Sequence, residues 1–300
     1  MTDHFKSGYA SIVGRPNVGK STLLNCLMAK KVAVTSNRPQ TTRNKITGVL
    51  HLPGAQIILV DTPGIHQSDR TLNEMMVRAS VSTFSDVDLL LVMLSAESGF
   101  CVDDEFVLNS MRGVKTKKVL VINKVDLVEK SNLLVLMDKM HQKSLFEEII
   151  PISALKEDGL DQLKNLILNY LPEGPEYFPK DMDTDCPETF LFGELIREKI
   201  LKLTRFEIPH SVAVVVEDMY EQNNGVVQID ATIYAEKDSQ KKILIGERGS
   251  MLKNIGRQAR QDIEKRIGAK IFLKLFVKVK ANWRDQKKTI KEFGYTHDSF

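Results

Sequence analysis

An octapeptide near the start of the chain has the spacing of a phosphate-binding loop, G-x-x-x-x-G-K-[ST]. Its residues are Gly14-Arg15-Pro16-Asn17-Val18-Gly19-Lys20-Ser21, followed by Thr22. The apolar run from Tyr9 to Val13 precedes it and a predicted helix from Ser21 to Ala29 follows, which is the setting this motif requires. Inward-pointing backbone N–H groups and the helix N-terminus then bind phosphates. Lys20 is expected to reach the β and γ phosphates, and the Ser21 hydroxyl to ligate Mg²⁺. The motif predicts a nucleoside triphosphate site but does not identify the base.

A second polar motif follows the apolar run from Gln56 to Val60. Its residues are Asp61-Thr62-Pro63-Gly64. A carboxylate at the end of such a strand is the usual Mg²⁺ partner in these sites, and the N–H of Gly64 can meet a γ-phosphate. Standing alone, the same four residues would be interpreted as a turn. Downstream of a phosphate loop they indicate the metal side of the same site.

Two further motifs identify the base as guanine. They are Asn123-Lys124-Val125-Asp126, after the apolar run from Lys118 to Ile122, and Ser153-Ala154-Leu155, after the run from Ile149 to Ile152. Asp126 can accept hydrogen bonds from N1–H and the exocyclic amine of guanine, whereas adenine offers neither donor there. Such sites discriminate by ~10⁴-fold or more. Lys124 can cover the base plane, Asn123 can tie this loop to the phosphate loop, and a backbone N–H of the 153–155 motif can bind guanine O6.

Alternating strand and helix patterns position these motifs. The strand-like runs are the four named above and Leu89 to Leu94, and the helix-like patterns include Leu72 to Phe84, Asp103 to Arg112 and Leu160 to Tyr170. Strands that alternate with helices form βαβ units, so we predict a doubly wound, mostly parallel α/β sheet of the P-loop NTPase class over residues 1–171. The carboxyl ends of its strands would bring all four motifs to one crevice. Proline and glycine are dense beyond Leu171, which predicts an inter-domain linker over 172–186.

The C-terminal part has a different order of elements, α-β-β-α-α-β, over residues 187–281, with a tail at 282–300. This order matches an α+β type II K-homology (KH) domain, which clamps an RNA backbone with a G-x-x-G loop. Here that loop is Gly246-Glu247-Arg248-Gly249. The remaining candidate RNA contacts are basic side chains, Lys241, Lys242, Lys253 and Arg257. Glu247 should weaken phosphate attraction at the clamp. Trp283 could stack on a base or anchor the last strand to the core.

Charge is distributed unevenly along the chain. The formal net charge is +3, yet the segment from Lys237 to Lys291 contains 17 lysines and arginines against 5 acidic residues, a net +12. This asymmetry indicates a face that binds a polyanion, although a solvated helix face with a basic tail would give a similar count. No apolar run approaches the ~20 residues of a membrane span. Cys26, Cys101 and Cys186 lie far apart, which argues against a zinc site or a disulfide framework and for a reducing cytoplasm.

With these motifs in this order, the chain resembles the translation-factor-like GTPases and, within them, the bacterial Era family. The resemblance extends over nearly the whole sequence and includes Gln40-Thr41-Thr42-Arg43, the switch segment, and the stretch from Lys278 to Arg284. It implies that Lys20, Thr42 and Gly64 are catalytic, and that Ser21, Thr42 and Asp61 hold Mg²⁺. Thr41 is the alternative to Thr42 as the switch ligand.

Two positions qualify that resemblance. Small signalling GTPases have a water-orienting glutamine directly after Asp-x-x-Gly, whereas this chain has Ile65, which cannot orient water. Hydrolysis should therefore be slow unless another group or a partner places the water. Asn17 resembles an asparagine that coordinates K⁺ in some relatives, and its alternative role is that of a simple turn residue.

The resemblance also implies a function. We expect a GTP-hydrolysing, RNA-binding switch that binds 16S ribosomal RNA near its 3′ end and assists assembly of the small (30S) ribosomal subunit. It implies a monomer in the cytoplasm, with peripheral contact at the cytoplasmic face of the inner membrane. The alternatives are a GTPase that acts in tRNA modification, although no terminal cysteine of that group is present, a membrane or cell-cycle signalling GTPase, and a nucleotide kinase or ATPase, against which the guanine motif argues.

Overall fold

The computed structural model describes residues 5–36, 38, 41–67, 70–206, 208–223 and 225–295. Within these ranges the chain forms an α/β unit followed by a smaller α+β unit. Gln40, the first residue of the predicted switch segment, and residues 296–300 of the predicted tail lie outside them. None of the helices described has the combination of length and apolar composition needed to cross a membrane.

The first unit is a sheet of six described strands with helices on both faces. The strands are β1 Lys6–Val13, β2 Ile46–Leu52, β3 Ala55–Asp61, β4 Leu89–Ser95, β5 Lys117–Asn123 and β6 Glu148–Pro151, in the order β2-β3-β1-β4-β5-β6. The helices are α1 Lys20–Met28, α2 Thr71–Ser82, α3 Val102–Ser110, α4 Lys130–His141 and α5 Leu160–Tyr170. Only β2 pairs antiparallel among these strands. The mostly parallel α/β sheet predicted from the sequence is confirmed.

Two elements of this unit were not predicted, β2 and α4. Strand β2 lies at the sheet edge, and its apolar residues are interrupted by Thr47, Gly48 and His51. Helix α4 buries only Leu136 and Met140. Neither element therefore has the strong apolar periodicity on which a prediction from sequence depends.

The second unit has the element order of a type II KH domain, with two short helices in addition. Its elements are α6 Glu188–Leu203, α7 Ile208–Ser211, β7 Ala213–Glu221, β8 Val227–Ala235, α8 Asp238–Ile245, α9 Ser250–Ile267, β9 Ile271–Val279 and α10 Lys287–Glu292. Strand β8 pairs antiparallel with β7 and parallel with β9. Helices α6 and α9 cover the sheet with buried residues such as Ile196 and Ile255. The predicted α+β fold is confirmed.

The segment predicted as a linker, 172–186, packs along the first unit. The Asp183 carbonyl accepts a hydrogen bond from Val49 N at 2.8 Å. The Gln56 Oε1 atom accepts from the backbone N–H groups of Tyr177 and Phe178, and Cys186 is buried in the core of the first unit. The segment is therefore fixed to β2 and β3 although it forms no helix. Its limits as a domain boundary stay a prediction.

A small apolar cluster joins the two units. Leu72 and Met76 of α2 pack with Trp283, Ile290 and Tyr295, and all five side chains are buried. Because α2 follows the Asp61–Gly64 motif, this cluster connects the second unit to an element that begins close to the nucleotide motifs.

Candidate functional site

The phosphate loop has the backbone shape that the sequence predicts. Gly19 has a φ of +103°, and a Cβ atom there would lie 2.2 Å from Asn123 Nδ2, so only glycine fits. The Lys20 Nζ donates to the carbonyls of Gly14 at 3.1 Å and Arg15 at 2.9 Å. Burial lowers the pKa of Lys20 to about 8, against the opposing effect of Asp61. A phosphate would therefore supply the anion that this buried ammonium group needs.

Three oxygen-bearing side chains converge at the start of α1. Ser21 Oγ lies 2.7 Å from Thr42 Oγ1 and 2.7 Å from Asp61 Oδ2, and Thr42 Oγ1 lies 3.1 Å from the same carboxylate oxygen. The other oxygen, Asp61 Oδ1, is buried and has no hydrogen-bond partner in the described part of the chain. Burial raises the pKa of Asp61, although Lys20 and the two hydroxyls act in the opposite direction. A hard cation with oxygen ligands, such as Mg²⁺, fits these donors.

The structure places the two switch threonines differently. Thr42 is 5% exposed and its hydroxyl joins the oxygen cluster described above. The Thr41 hydroxyl instead contacts Ser36 Oγ at 2.8 Å and donates to the Arg38 carbonyl at 2.7 Å. Of the two alternatives, the geometry favours Thr42.

The guanine motifs meet at the opposite end of the same crevice. Asn123 Nδ2 donates to the Val18 carbonyl at 2.8 Å, and Asn123 Oδ1 accepts from Ala154 N at 2.9 Å. Asn123 thus ties its own loop to the phosphate loop, as expected from the sequence, and also to the 153–155 motif, which was not predicted. Asp126 Oδ1 accepts a hydrogen bond from Ser153 Oγ at 2.6 Å, which orients the carboxylate at the rim.

A cavity of about 540 Å³ brings most of the predicted residues together. Those that line it are Pro16, Asn17, Gly19, Lys20, Ser21, Thr22, Thr41, Thr42, Gly64, Asn123, Lys124, Asp126, Ser153 and Leu155. Those that do not line it are Gly14, Arg15, Val18, Asp61, Thr62, Pro63, Ile65, Val125 and Ala154. Of the latter, Gly14 and Arg15 contribute backbone carbonyls that bind Lys20, and the Asp61 carboxylate binds Ser21.

Three residues of the second set have side chains turned away from the cavity. The Thr62 hydroxyl donates to the Ile12 carbonyl at 2.8 Å and joins two strands. Ile65 is fully buried in a core cluster, and its N–H donates to the Gly14 carbonyl at 3.1 Å. Arg15 Nε binds the buried Asp104 carboxylate of α3 at 3.0 Å. Because its side chain is buried in that core cluster, Ile65 does not face the site, and it also has no polar group that could orient a water molecule.

Five residues that line the cavity were not predicted from the sequence. They are Val34, Thr35, Ser36, Glu97 and Leu127. Glu97 Oε2 lies 2.9 Å from Lys124 Nζ, and it sits on the loop after β4. Glu97 could have been predicted from its position two residues beyond the end of β4, because the other site motifs also follow strand ends. Residues 34–36 lie in a segment without motif residues, so nothing in the sequence indicates that they line the cavity.

That segment is held by the second unit. Lys31 Nζ lies 2.5 Å from Glu198 Oε2 of α6 and 2.8 Å from Asp262 Oδ2 of α9. Arg266 Nη1 donates to the Lys31 carbonyl at 2.9 Å, and Thr35 N contacts Glu198 Oε1 at 3.4 Å. One wall of the nucleotide cavity is therefore attached to helices of the second unit.

A second cavity, of about 880 Å³, lies beside the G-x-x-G loop. Its lining comes from the start of α9 and from β9: Gly249, Ser250, Leu252, Lys253, Asn254, Gly256, Arg257, Arg260, Phe272, Leu273 and Leu275. Lys253 and Arg257 were predicted, whereas Arg260 and Phe272 were missed. Gly246, Glu247 and Arg248 are in the loop itself, and Lys241 and Lys242 lie on α8 outside the lining.

The structure decides between the two roles considered for Trp283. Its side chain is 0% exposed, and its Nε1 donates to the Ser211 carbonyl at 2.9 Å. Trp283 is thus an anchor, and the base-stacking alternative is wrong. The aromatic ring in the groove is Phe272, which is 50% exposed.

Comparison with known proteins agrees with both units. A family model described as 50S ribosome-binding GTPase matches residues 9–124, and a KH domain model matches residues 207–284. The chain is 48% identical to GTPase Era of Geotalea daltonii over 296 residues, which cover 98% of this chain and 100% of that protein. It is 49% identical to GTPase Era of Lactobacillus helveticus over 291 residues, 97% of this chain and 96% of that protein.

Two solved structures share the complete fold at 40% sequence identity. One is a single-residue variant of Aquifex aeolicus Era bound to GDP·AlF4⁻, with a TM-score of 0.94 and coverage of 97% of this chain and 100% of the other. The second is Era in complex with MgGDPNP and nucleotides 1506–1542 of 16S ribosomal RNA, with a TM-score of 0.95 and coverage of 98% and 100%.

The protein is a P-loop GTPase that hydrolyses GTP and has a KH domain fused to its C-terminal side. Within that class, the sequence is 48% and 49% identical to the two GTPase Era proteins over almost the whole chain, and this identity shows the family. The chain belongs to the Era family of GTPases.

Proposed function

We propose that this protein is a GTP-controlled switch that binds 16S ribosomal RNA near its 3′ end and assists assembly of the small (30S) ribosomal subunit. The observation that carries the proposal is the groove with Lys253, Arg257 and Arg260, which lies in the same chain as the GTPase site. The solved relative that contains nucleotides 1506–1542 of 16S ribosomal RNA supports this choice of RNA.

In the GTPase site, Ser21, Thr42 and Asp61 would hold Mg²⁺, which supplies positive charge at the β and γ phosphates. Lys20 would neutralise the same phosphates, and the Gly64 N–H would meet the γ-phosphate. The side chain of Ile65 is buried away from the cavity, so the chain lacks a glutamine-like water-orienting group at that position. Intrinsic hydrolysis would then be slow, which suits a timer better than a rapid metabolic enzyme. A K⁺ ion at Asn17 stays a prediction.

In the RNA site, the G-x-x-G loop would clamp the backbone while the basic side chains of α9 neutralise phosphates. Phe272 would offer a ring for a base. Control by GTP is supported by the contacts that Lys31 and Thr35 make with α6 and α9, because nucleotide binding orders that segment in GTPases of this class. A monomeric state, a cytoplasmic location and peripheral contact with the inner membrane also stay predictions, the last favoured only by the basic C-terminal surface.

The RNA assignment can be tested with one substitution at the clamp and a matched control. Gly249 has a φ of +81° and no atom within 4 Å of a built Cβ, so Gly249→Asp meets no clash, strains the backbone at this one residue and adds a negative charge beside Glu247. Gly268, at the far end of α9, has a φ of +68° and equally open surroundings. We expect Gly249→Asp to weaken binding of a 16S 3′-terminal fragment by at least about tenfold through charge repulsion, while Gly268→Asp binds normally.

Both variants should hydrolyse GTP at the unaltered rate. Binding is measured by fluorescence anisotropy at two salt concentrations, and folding by thermal denaturation. Normal RNA affinity in Gly249→Asp would show that the groove is not the RNA site. For the assembly role, cells that carry only Gly249→Asp should accumulate free immature small subunits on sucrose gradients. A normal subunit profile, with RNA binding lost in vitro, would contradict the assembly role alone.

A further inference from the structure

The loop of residues 41–44 is attached to the second unit on both sides of Thr42. The Thr41 carbonyl accepts a hydrogen bond from Arg197 Nη2 of α6. Arg43 donates to the carbonyls of Val212 at 2.7 Å and His210 at 3.0 Å. Thr42 faces the other way, with its hydroxyl among the oxygens of the candidate Mg²⁺ site. The second unit therefore holds both neighbours of Thr42, the residue whose hydroxyl joins the candidate Mg²⁺ site.

The side chains that make these attachments are buried. Arg43 is 2% exposed, and its guanidinium lies 5.7 Å from the centre of the Trp283 ring and 5.4 Å from that of Tyr295. Asn44, also 2% exposed, donates to the Gly294 carbonyl at 2.6 Å. Hydrogen bonds in such surroundings hold their partners in one geometry, since water cannot replace a broken bond.

Arg197 is itself fixed in place by a carboxylate. It is 0% exposed, and its Nε donates to Glu194 Oε1 at 2.7 Å, one turn earlier on α6. Its Nη2 contacts both Glu194 and the Thr41 carbonyl. Because the peptide that joins Thr41 to Thr42 is planar, fixing this carbonyl also fixes the N–H and the Cα of Thr42. The hydrogen bonds of Arg43 restrain Thr42 from its other side.

We infer that Arg197, a residue of the second unit, is a positioning residue for the GTPase site, which holds the Thr41–Thr42 peptide so that the Thr42 hydroxyl faces Ser21 and Asp61. The inference rests on the proposed function, in which Thr42 ligates Mg²⁺. The KH-bearing unit thus completes the metal site of the other unit from outside the nucleotide cavity.

The test uses the full chain and measures the Mg²⁺ concentration that half-saturates GTP hydrolysis, together with kcat and KM for GTP. Arg197→Lys keeps a positive charge beside Glu194 but lacks the planar fork that reaches two acceptors. We expect the half-saturating Mg²⁺ concentration to rise by about tenfold, the usual effect of removing a group that orients a metal ligand. The KM for GTP at saturating Mg²⁺ should change little.

Arg284→Lys is the matched control. Arg284 also lies in the second unit, is largely buried and pairs with the buried carboxylate of Glu236. The substitution should lower thermal stability without altering the Mg²⁺ dependence. If Arg197→Lys does not fold, the paired change Glu194→Gln with Arg197→Gln removes both charges together and is measured instead.

Thr42→Ala separates failure of the inference from failure of the proposed function. Unaltered Mg²⁺ dependence in Thr42→Ala would refute the metal role of Thr42 and the proposed site with it. A raised requirement in Thr42→Ala, with a normal one in the Arg197 variants, would refute the positioning role alone. Combining Thr42→Ala with Arg197→Lys should add nothing further, because both act through one hydroxyl, and full additivity would overturn the inference.

Discussion

Replacing Asp126 by asparagine should change the nucleobase that the protein binds. The Asp126 carboxylate lines the nucleotide cavity at its solvent-exposed rim and is oriented by Ser153 Oγ at 2.6 Å. Guanine offers two N–H donors to a carboxylate in that place. In Asp126→Asn one of these donors faces an amide NH₂ group instead of an acceptor, and the charge that strengthens both bonds is lost.

The size of the effect follows from the exposure of the site. Hydrogen bonds to charged groups contribute ~1.5–3 kcal/mol each, and because Asp126 is exposed we take the lower value for each. Loss of one bond then costs about 1.5 kcal/mol and weakening of the other to a neutral bond about 0.5 kcal/mol, and the total of about 2 kcal/mol corresponds to a loss of about 30-fold in affinity for GDP. Xanthine has a carbonyl in place of the exocyclic amine, so the asparagine NH₂ group has an acceptor. The variant should therefore bind XDP with most of the affinity that it has lost for GDP.

The measurement is a titration of GDP and XDP into both proteins by calorimetry at fixed Mg²⁺. Asp158→Asn is the control, since Asp158 lies on the same loop as Ser153 but does not line the cavity. A change of less than about threefold in GDP affinity for Asp126→Asn, or no gain for XDP, would mean that the base lies elsewhere in the crevice.

Two further predictions concern groups away from the phosphates. Asn123→Ala leaves the Val18 carbonyl and the Ala154 N–H without their partner. GDP affinity and thermal stability should both fall, by about 2–4 kcal/mol in total. Unchanged GDP affinity would show that Asn123 does not support the nucleotide site. Burial, assisted by the charge of Arg43, lowers the pKa of His210. The unfolded chain therefore takes up this proton first as pH falls, and stability should drop from about pH 6.5 down to the lower pKa of the folded form. Urea midpoints should show a smaller loss between pH 7 and pH 5 in His210→Gln, and an equal loss would assign the acid sensitivity to other groups.

The nucleotide motifs could be predicted because each is short and lies directly after a buried strand. Once β1, β3, β5 and β6 are parallel members of one sheet, their carboxyl ends meet, and spacing along the sequence becomes proximity in space. Strand β2 escaped prediction because an edge strand needs few apolar residues, and its pairing depends on β3 rather than on its own composition.

The contacts between the two units could not be predicted from local patterns. Arg43 follows a switch threonine and gives no sign in the sequence that it binds carbonyls more than 160 residues away. Trp283 has the same appearance in the sequence whether it stacks on RNA or fills a core. The roles of both residues depend on how the second unit packs on the first. The apolar periodicity of individual helices and strands carries no information about that packing.

Helix α9 connects the groove beside the G-x-x-G loop with the wall of the nucleotide cavity. Its first turns line the groove proposed to bind RNA, and its last turns contact Lys31, which leads into the wall of the nucleotide cavity. Its 18 residues span about 27 Å, so a tilt at one end displaces the other. Thermodynamic linkage requires that any factor by which GTP alters RNA affinity equals the factor by which RNA alters GTP affinity. In the proposed function the RNA would be an effector of the GTPase as much as GTP is an effector of RNA binding. A nucleotide titration in the presence of RNA would then measure the same coupling as an RNA titration in the presence of GTP.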